Sequence, residues 1–517
     1  MPRKDPRLIE LYDRRRKTRQ GGGQERVDKQ HAKGKGTARE RLDLLLDPGT
    51  FSEIEPYAAS RSDALAASDE AYPGDGVVTG FGRIDGRTVY VYAQDFSVLG
   101  GTLGEVQAQK ICRVLDLAVQ NGKPVVGLLD SGGARIQEGI HALNGYGEIF
   151  RRNALCSGVI PQVSVMLGPC AGGAAYSPAL TDLIVMVEKQ SFMFLTGPEV
   201  IKAVTNEAID LEGLGGAEVH TAVSGTAHLS AGSEREALAL ARLALGYLPS
   251  NNQEKPPFVA SGDDPGRIDP ALDSLVPLDP SEPYAMHTAL AAILDRGSLL
   301  ELMPSWAKNA VTGLARLGGR AVGVVAQEPA TIAGVLDIDT ADKIARFVRL
   351  CDCFNLPLVT FVDSPGFLPG VAQEHGGVIR HGAKVLYAYS EACVPKVSVI
   401  TRKAYGGSYI VMSSRSLGAD LAFAWPSAEI AVMGAEGAVN ILYRDEIASS
   451  PDPEARRRAL ADDYRQRFSS PYGAAAAGFI DDVIAPSETR PRLIAALEAL
   501  HDKQASRPPQ RHGNMPV

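Results

Sequence analysis

Alternating hydrophobic and polar positions between residues 77 and 92 predict a β-hairpin. Val77–Ile84 alternates with a period of two, and Thr88–Tyr92 follows the same rule. Asp85-Gly86 separates the two runs, and this dipeptide is favoured in two-residue hairpin turns because both central positions need a positive φ. The segment therefore predicts two antiparallel strands joined by a tight turn.

A helix and then a buried strand are predicted directly after this hairpin. Glu105–Val119 has the spacing of a helix with one apolar face, and Val125–Leu129 is a short apolar run that follows Pro124. Such a run is typical of a parallel strand that helices cover on both faces. The order of elements predicts the α/β fold class rather than a sandwich or a barrel.

The same elements return in the second half of the chain. Asp130 and Asp363, for example, end matching apolar runs, and three separate blocks keep the same separation along the chain to within a single position. The corresponding segments are Lys123–Ser131 and Leu356–Ser364, Ile160–Val165 and Val394–Val399, Gly172-Gly173 and Gly406-Gly407, and, upstream, Lys110-Ile111 and Lys343-Ile344.

The period of this repeat is almost half the length of the chain. Because solenoid repeats are only about 20–50 residues long, stacked small repeats do not account for it. We therefore predict a duplicated domain, with its linker in the polar, Pro- and Gly-rich stretch near residues 250–270.

Composition and charge narrow the class of protein. Of the 517 residues, 45% are apolar and 22% are charged, as in ordinary globular domains. The formal net charge of −8 argues against a nucleic-acid or anionic-membrane partner. The first residues are charged, unlike a secretory signal, and no apolar run approaches the ~20 residues that span a bilayer. We therefore expect a cytoplasmic protein with no membrane partner.

Conventional catalytic and metal-binding motifs are absent. The six cysteines form no Cys-x-x-Cys pair, so we expect small buried thiols and no metal in this chain. There is no Gly-x-Ser-x-Gly, no Walker loop, no Rossmann fingerprint and no zincin motif. His381 is the most interesting histidine, and we expect a structural role for it. Such a chain suits a reaction whose base belongs to the substrate or cofactor.

The basic, helix-prone first fifty residues permit two interpretations. Arg39–Leu46 is followed by Asp47-Pro48-Gly49, which predicts the end of a helix. The basic side chains could meet the phosphates of a ligand, or the segment could be a helical arm that packs on another subunit.

Each Gly-Gly pair lies between a predicted buried strand and a predicted helix. The strands are Gln162–Leu167 and Lys396–Ile400, and the helices follow at Ala174–Asp182 and Ser408–Ser414. The first N–H groups of a helix lack intrahelical acceptors, and glycine lets a ligand approach the backbone, so each turn predicts an oxyanion hole. The alternative is that the glycines only permit close packing, but two equivalent occurrences favour the functional interpretation.

Several long motifs carry a family resemblance. In the first half they are Leu129–Gly139, Gly145–Asn153 and Gly168–Ala174, and in the second half Asp363–Phe367, Thr401–Gly407 and Trp425–Gly434. With these motifs the chain resembles, from about residue 30 to 490, the β (carboxyltransferase) subunit of biotin-dependent acyl-CoA carboxylases, in particular the propionyl-CoA carboxylase type.

The resemblance implies two tandem crotonase-like domains of β-β-α superhelix type, here 1–260 and 268–510, in a homohexamer. It implies an enzyme that transfers CO₂ from carboxybiotin to the α-carbon of an acyl-CoA through a thioester enolate. Biotin would be supplied in trans by a biotinylated α subunit with biotin carboxylase activity, since this chain has no Met-Lys-Met biotinylation site.

Residue roles follow from the resemblance, position by position. It implies that Gly172 and Gly173 hold the thioester oxygen and that Gly407 and Ser408 hold the ureido oxygen of biotin. Both reactants pass through an oxygen anion, so two oxyanion holes are chemically sensible. Four further residues are implied to bind substrate, and the stretch 323–354 matches an acyl-CoA-binding segment; the four are Ala134, Arg135, Ala174 and Ile410.

Two positions depart from the family pattern. Acetyl- and propionyl-specific relatives often have Ala at the position of Ser408 and Asp at the position of Ile410, and the latter is tied to acyl-chain choice. An isoleucine makes that pocket wall apolar, which predicts a preference for longer or branched acyl chains. The alternative is that Ile410 is ordinary packing.

Three rival functions remain at this stage. A carboxyltransferase subunit of a biotin-dependent acyl-CoA decarboxylase would run carboxyl transfer in reverse. A crotonase-type hydratase or isomerase would need placed acids, and a non-catalytic scaffold would bind acyl-CoA without biotin-dependent exchange.

Overall fold

The computed structural model describes residues 5–62, 72–505, 508 and 511–517. The chain forms two compact units, Met1–Glu254 and Lys255–Val517, called unit 1 and unit 2 below. Each unit has its own hydrophobic core. Within the described ranges, every helix is too short or too polar to cross a membrane.

Unit 1 contains helices, strands and short irregular turns. Its helices are α1 (Pro6–Thr18), α2 (Gln24–His31), α3 (Ala38–Leu45), α4 (Glu105–Asn121), α5 (Ile140–Cys156), α6 (Gly173–Ala179), α7 (Pro198–Thr205), α8 (Leu211–Gly215) and α9 (Glu234–Leu245). Its strands are β1 (Ser52–Ile54), β2 (Val77–Ile84), β3 (Arg87–Gln94), β4 (Val125–Ser131), β5 (Gln162–Ala171), β6 (Leu183–Val187), β7 (Phe192–Phe194) and β8 (Leu229–Ala231). Short 3-10 turns lie at Leu99–Gly101 and Ile136–Glu138, and a π turn at Val219–Val223.

The strands of unit 1 form one mixed sheet in the order β1-β2-β3-β4-β5-β6-β8, and β7 pairs with β5. Strands β2 and β3 are the predicted hairpin, and its turn has φ of 49° at Asp85 and 78° at Gly86. The next strands, β3 to β6, pair in parallel, with α4 and α5 as the crossover helices. The predicted hairpin and the α/β fold class are confirmed.

Unit 2 repeats this series of elements. Its helices are α10 (Met286–Ile293), α11 (Ile338–Cys353), α12 (Val371–Gly376), α13 (Val378–Glu391), α14 (Gly406–Val411), α15 (Ala435–Leu442), α16 (Arg444–Ser449), α17 (Pro453–Tyr464), α18 (Pro471–Ala476) and α19 (Thr489–Ala499). Its strands are β9 (Leu300–Leu302), β10 (Ala310–Leu317), β11 (Arg320–Gln327), β12 (Leu358–Ser364), β13 (Lys396–Tyr405), β14 (Leu421–Ala424), β15 (Glu429–Ala431) and β16 (Asp482–Val483). Short 3-10 turns lie at Pro270–Ser274, Ile332–Gly334, Arg415–Leu417 and Pro486–Glu488, and a π turn at Arg465–Ser469.

The sheet of unit 2 has the same order as that of unit 1. It reads β9-β10-β11-β12-β13-β14-β16, and β15 pairs with β13 as β7 pairs with β5. The register agrees as well, since Val125 pairs with Gln162 in unit 1 and Leu358 pairs with Lys396 in unit 2. The duplication inferred from the sequence blocks is therefore confirmed in the fold.

The central strand of each sheet is buried along its whole length. Every residue of β4 and of β12 is buried, because helices cover both faces of a parallel sheet. Both strands nevertheless contain an aspartate near their carboxyl end, Asp130 in β4 and Asp363 in β12. Burial of a carboxylate costs free energy unless a cation pairs with it, so each aspartate needs a partner.

In unit 1 the partners of this aspartate come from the N-terminal arm. Lys35 Nζ lies 2.7 Å and an Arg41 guanidinium nitrogen 3.0 Å from Asp130 Oδ2. Arg41 also pairs with Glu234 on α9 at 2.6 Å. The two interpretations of the basic arm were contact with CoA phosphates or packing on another subunit. For Lys35 and Arg41 neither applies, because their charges are engaged inside unit 1.

In unit 2 the partners come from the neighbouring strand. Arg402 Nε lies 3.0 Å from Asp363 Oδ2, and the backbone N–H of Lys403 donates to Asp363 Oδ1 at 3.1 Å. Arg402 also lies over the ring of Tyr284. The cation is therefore local to β13.

Element boundaries around the glycine turns differ from the predicted ones. Strand β5 continues to Ala171 rather than ending at Leu167, because β7 pairs with its last three residues. The following helices are short and begin at Gly173 and Gly406. Pairing with a distant strand is invisible in a local pattern, which explains the difference.

Candidate active site

The first glycine turn joins β5 to α6. Gly172 has a φ of 59°, a left-handed conformation that favours glycine, and α6 starts at the next residue. A Cβ on Gly173 would lie 2.8 Å from ring carbons of Tyr146 on α5. The ring of Tyr146 therefore packs directly against Gly173, and a side chain at residue 173 would overlap the ring.

The backbone N–H of Gly172 is engaged within unit 1. It donates to the carbonyl of Phe194 at 2.9 Å, which continues the pairing of β5 with β7 by one residue. Gly172 was expected, with Gly173, to hold the thioester oxygen, and in unit 1 its own N–H is occupied by this bond. The N–H groups at the start of α6, on Gly173 and Ala174, have no acceptor within the helix, since the first turn of a helix lacks them.

A second loop lies next to this turn and is tied to it by backbone bonds. Gly133 lies just beyond the end of β4, and its carbonyl accepts from Leu103 N–H at 2.8 Å. The N–H of Arg135 donates to the Leu103 carbonyl at 2.9 Å, so Ala134 pairs with Leu103 as an isolated bridge. A Cβ on Gly133 would lie 3.0 Å from the carbonyl of Ala171. Ala134 thus lies beside the end of β5, with its small side chain half-buried.

The side chain of Arg135 is buried, and its two terminal guanidinium nitrogens contact protein groups. Its guanidinium lies 2.6 Å from an Asp75 carboxylate oxygen and 2.7 Å from Glu138, and it donates to the Thr102 carbonyl at 3.0 Å. Arg135 was expected to bind substrate, but these contacts leave its charge facing protein groups. In unit 1 it fixes the loop that carries Ala134.

The second glycine turn joins β13 to α14. Gly406 has a φ of 55°, and Gly407 is exposed. Ser408 is buried, and its hydroxyl donates to the carbonyl of Tyr405 at 2.7 Å and lies 3.1 Å from the carbonyl of Ser364. As in α6, the N–H groups of this first helical turn have no intrahelical acceptors.

The two turns differ in the residue beside them. Leu336 forms an isolated bridge with Phe367, as Leu103 does with Ala134. A Cβ on Gly407 would lie 3.6 Å from the Phe367 ring, an ordinary contact distance. The second turn therefore has an aromatic side wall where the first has a methyl group.

The remaining expected substrate-binding residues lie on the helices of the turns. Ala174 is buried on α6 behind the first turn, while Ile410 on α14 is 45% exposed. An exposed isoleucine at this place offers an apolar contact to a ligand that approaches the second turn.

His381 lies on α13 and pairs with a carboxylate. Its Nδ1 lies 2.8 Å from Asp342 Oδ1, and Lys384 contacts the same oxygen at 2.7 Å. This cluster joins α11 to α13, so the contacts of His381 are those of a residue that holds two helices together.

Large apolar side chains are exposed in both units. They are Ile136, Ile140, Leu195, Val200 and Val204 in unit 1, and Val371, Ile379, Val432, Ile441 and Leu442 in unit 2. Exposed apolar patches of this kind mark interaction surfaces.

Sequence reasoning missed three residues that shape the turns, Tyr146, Phe367 and Tyr405. Phe367 could have been found by pairing it with Ala134, because the two occupy corresponding places in the repeat. Tyr146 left no such signal, since its contact with Gly173 depends on how α5 packs. Across the described residues, no group of three or more His, Cys, Asp or Glu side chains is arranged to hold a metal ion.

Comparison with known proteins identifies the relatives of this arrangement. The family model of the carboxyl transferase domain matches residues 29–515. The chain is 55% identical, over 99% of both chains, to the propionyl-CoA carboxylase carboxyltransferase subunit of Haloferax mediterranei. It is also 51% identical, again over 99% of both, to the methylmalonyl-CoA decarboxylase subunit alpha of Propionigenium modestum.

Among solved structures, the chain is similar to transcarboxylase 12S, a hexamer crystallised with methylmalonyl-coenzyme A and methylmalonic acid bound. The TM-score is 0.96 at 50% sequence identity, and the match covers 99% of this chain and 98% of that one.

Proposed function

The chain belongs to the carboxyl transferase family, and on that basis we propose that it transfers a carboxyl group from carboxybiotin to the α-carbon of an acyl-CoA, giving a malonyl-CoA-type product. It is an enzyme of the propionyl-CoA carboxylase carboxyltransferase type, and its fold is the crotonase-like one expected from the resemblance. The two predicted carboxyltransferase domains are 1–260 and 268–510. The observation that carries the proposal is a glycine turn at the same place in both units of a family member.

The first turn is proposed to bind the thioester. Removal of the α-proton places negative charge on the thioester oxygen, and the N–H groups of Gly173 and Ala174 are available to hold it. One such donor contributes ~3 kcal/mol to transition-state stabilisation. Gly172 provides the left-handed bend that aims these groups. The methyl group of Ala134 leaves space for the acyl group, and Arg135 positions that loop through Asp75 and Glu138.

The second turn is proposed to bind the ureido oxygen of biotin through the N–H groups of Gly407 and Ser408. The fit rests on an exposed glycine, which lets the exocyclic oxygen of the ureido ring reach the backbone, and on the flat wall of Phe367 beside it. Carboxybiotin, when bound, supplies the CO₂ and a nitrogen base. The chain itself contributes donors placed before the charge develops, which costs no reorganisation during the reaction.

Biotin is proposed to arrive on a separate biotinylated α subunit with biotin carboxylase activity, and the chain is proposed to form a homohexamer. The hexameric assembly of transcarboxylase 12S supports the second point. The exposed apolar residues of both units support it as well, because burying them against other copies removes apolar area from water.

The acyl chain is proposed to be longer or more branched than propionyl, because Ile410 stands where acetyl- and propionyl-specific relatives often have Asp, at the position that the resemblance ties to acyl-chain choice. An acyl-CoA series from C2 to C12 tests this through kcat/KM. Equal values across the series, with Ile410→Asp changing none of them, would contradict the proposal.

The experiment that tests the main function is fixation of labelled bicarbonate by the chain together with its cognate biotinylated subunit. Label in a carboxylated acyl-CoA, dependent on ATP and on both subunits, is the expected result. Transfer that proceeds without biotin would contradict the proposal.

A second candidate is the carboxyltransferase subunit of a biotin-dependent acyl-CoA decarboxylase. The 51% identity to a methylmalonyl-CoA decarboxylase subunit favours considering it. The two functions use the same turns in opposite directions, so the partner decides between them. Purification with a membrane decarboxylase, instead of a biotin carboxylase, would support the second candidate.

A further inference from the structure

The second glycine turn is held by side-chain hydrogen bonds on both sides. The hydroxyl hydrogen of Ser408 is shared between the carbonyls of Tyr405 and Ser364, at 2.7 and 3.1 Å. These carbonyls lie at the ends of β13 and β12, so one buried hydroxyl ties α14 to two neighbouring strands. Because a hydroxyl has a single hydrogen to donate, this one is fully engaged in the contact.

The residue before the turn is anchored by its own side chain. The phenol of Tyr405 donates to Glu429 on β15, and Arg465 lies 3.4 Å from Glu429. Burial first, and then the nearby Glu429 carboxylate, raise the pKa of Tyr405 far above its usual range. The phenol therefore keeps its proton and remains a donor throughout the physiological range.

Unit 1 has neither of these hydroxyls. Ala171 and Ala174 stand at the places in the repeat that Tyr405 and Ser408 occupy in unit 2, and an alanine side chain cannot donate. The first turn is held instead by the Tyr146 ring beneath Gly173 and by the backbone bond from Gly172 to Phe194. At these corresponding positions, only the second turn is therefore held by hydrogen bonds from side-chain hydroxyls.

We propose that Ser408 and Tyr405 are positioning residues, which hold the amides of the second turn in the orientation that receives the oxygen anion. The proposal rests on the proposed function of that turn and adds a role for two side chains that do not touch the reactants. Two consecutive glycines give a backbone great conformational freedom, and Gly407 is exposed. Oxyanion donors act only when placed within about 0.5 Å of the productive geometry, and in this chain the two hydroxyls restrain the turn.

The test uses the full chain with its biotinylated partner and follows carboxyl exchange between acyl-CoA and biotin. The variants are Ser408→Ala, Tyr405→Phe and the conservative Ser408→Thr. Ser427→Ala is the matched control, because its hydroxyl also donates to a β13 carbonyl, that of Thr401 at 2.7 Å, away from the turn.

A restraint that matters only as charge develops changes kcat and not binding. We expect Ser408→Ala to lower kcat about tenfold, less than the ~10²–10³-fold loss that follows removal of a donor, with the KM for acyl-CoA unchanged. Tyr405→Phe is expected to lower kcat by a smaller factor, and Ser408→Thr to restore most of the rate. Ser427→Ala is expected to keep the wild-type kcat.

Two outcomes would overturn the proposal while the wild-type protein is active. One is an unchanged kcat in Ser408→Ala. The other is an equal fall of kcat in Ser408→Ala and Ser427→Ala, which would indicate a general loss of stability. Unfolding followed by the fluorescence of the two tryptophans, Trp306 and Trp425, measures that loss directly, because both lie in unit 2. A wild-type protein without biotin-dependent exchange would overturn the proposed function, and this proposal with it.

Discussion

Asp130 and Asp363 occupy equivalent buried places, yet the two units neutralise them from different parts of the chain. In unit 2 the cation and a backbone donor are neighbours on β13, the side chain of Arg402 and the N–H of Lys403. In unit 1 the place that corresponds to Arg402 in the repeat belongs to Gly168. A side chain there would collide with the carboxylate of Asp130.

The place of Lys403 belongs to Pro169 in unit 1, and proline has no N–H to donate. Within the described part of the chain, Asp130 Oδ1 accordingly has no hydrogen-bond partner. Lys35 occupies space that Gly168 leaves, since a Cβ on Gly168 would lie 2.6 Å from Lys35 Nζ. A buried carboxylate requires a cation, but the fold does not dictate its source. In unit 1 the N-terminal arm, which packs into the core, supplies the cations that neutralise Asp130.

The largest expected effect is the loss of Arg402. Arg402→Met removes the cation that pairs with Asp363, and removing one member of a buried ion pair costs ~3–5 kcal/mol. Arg41→Met is expected to cost less, ~1–3 kcal/mol, because Lys35 still pairs with Asp130 and Gln190 still donates to Glu234.

Hydrogen exchange of β4 and of β12 measures the two losses separately. Arg113→Met is the control, since Arg113 is an exposed partner of Glu55, and exposed pairs contribute at most ~1 kcal/mol. Equal losses of stability in Arg41→Met and Arg402→Met would contradict the idea that Lys35 still neutralises Asp130 when Arg41 is removed.

The next effect concerns the turns themselves. Ser408→Pro removes one N–H from the proposed ureido site, and we expect the carboxyl-transfer rate to fall ~10²–10³-fold. Acyl-CoA binding should persist, because the proposed thioester site lies in unit 1. Steady-state exchange rates and calorimetric titration with acyl-CoA check the two statements, and a fully active variant would refute the assignment.

A smaller expected effect is a difference between the two turns in how well they tolerate a methyl group. Gly173→Ala places a methyl group 2.8 Å from the Tyr146 ring, and overpacking of this kind costs ~1–3 kcal/mol. Gly407→Ala meets Phe367 at 3.6 Å, so its stability should stay close to wild type. Urea unfolding of both variants measures the difference, and a tolerated Gly173→Ala would show that α5 gives way.

The smallest effect is a pH dependence confined to unit 2. Burial lowers the pKa of His287, but hydrogen bonds to Glu301 and Glu328, each 2.9 Å long, outweigh it, so the pKa lies above its ordinary value. A raised pKa means that this contribution is present below pH ~6.5 and is lost as pH rises through the folded-state value.

Because His287 is half-exposed, solvent screening limits this contribution to under ~1 kcal/mol. Unfolding followed by tryptophan fluorescence between pH 5.5 and 8.5 should show wild type losing more stability than His287→Asn. Parallel curves for the two proteins would contradict the assignment.

Much of the fold could be predicted from local patterns. The Asp85-Gly86 turn, the buried run at Val125–Leu129 and the long internal repeat all correspond to observed elements. The start and end of the elements around the glycine turns could not be predicted. The extension of β5 to Ala171, for example, depends on pairing with β7, which local hydrophobic periodicity does not reveal.

The candidate site divides in the same way. The positions of Gly172, Gly173, Gly407 and Ser408 followed from motif and repeat. That the N–H of Gly172 is engaged by Phe194, and that the charge of Arg135 faces Asp75 and Glu138, depends on side chains and strands brought together by folding.

The amino-acid sequence by itself determined the duplicated α/β plan and the two glycine pairs, because hydrophobic period and turn chemistry act over a few residues. The tertiary structure alone decided which groups neutralise the two buried aspartates and which hold each turn. Those choices depend on distances between segments far apart in the chain, such as Arg41 and Asp130 or Tyr405 and Glu429, and packing fixes such distances only after the whole unit has folded.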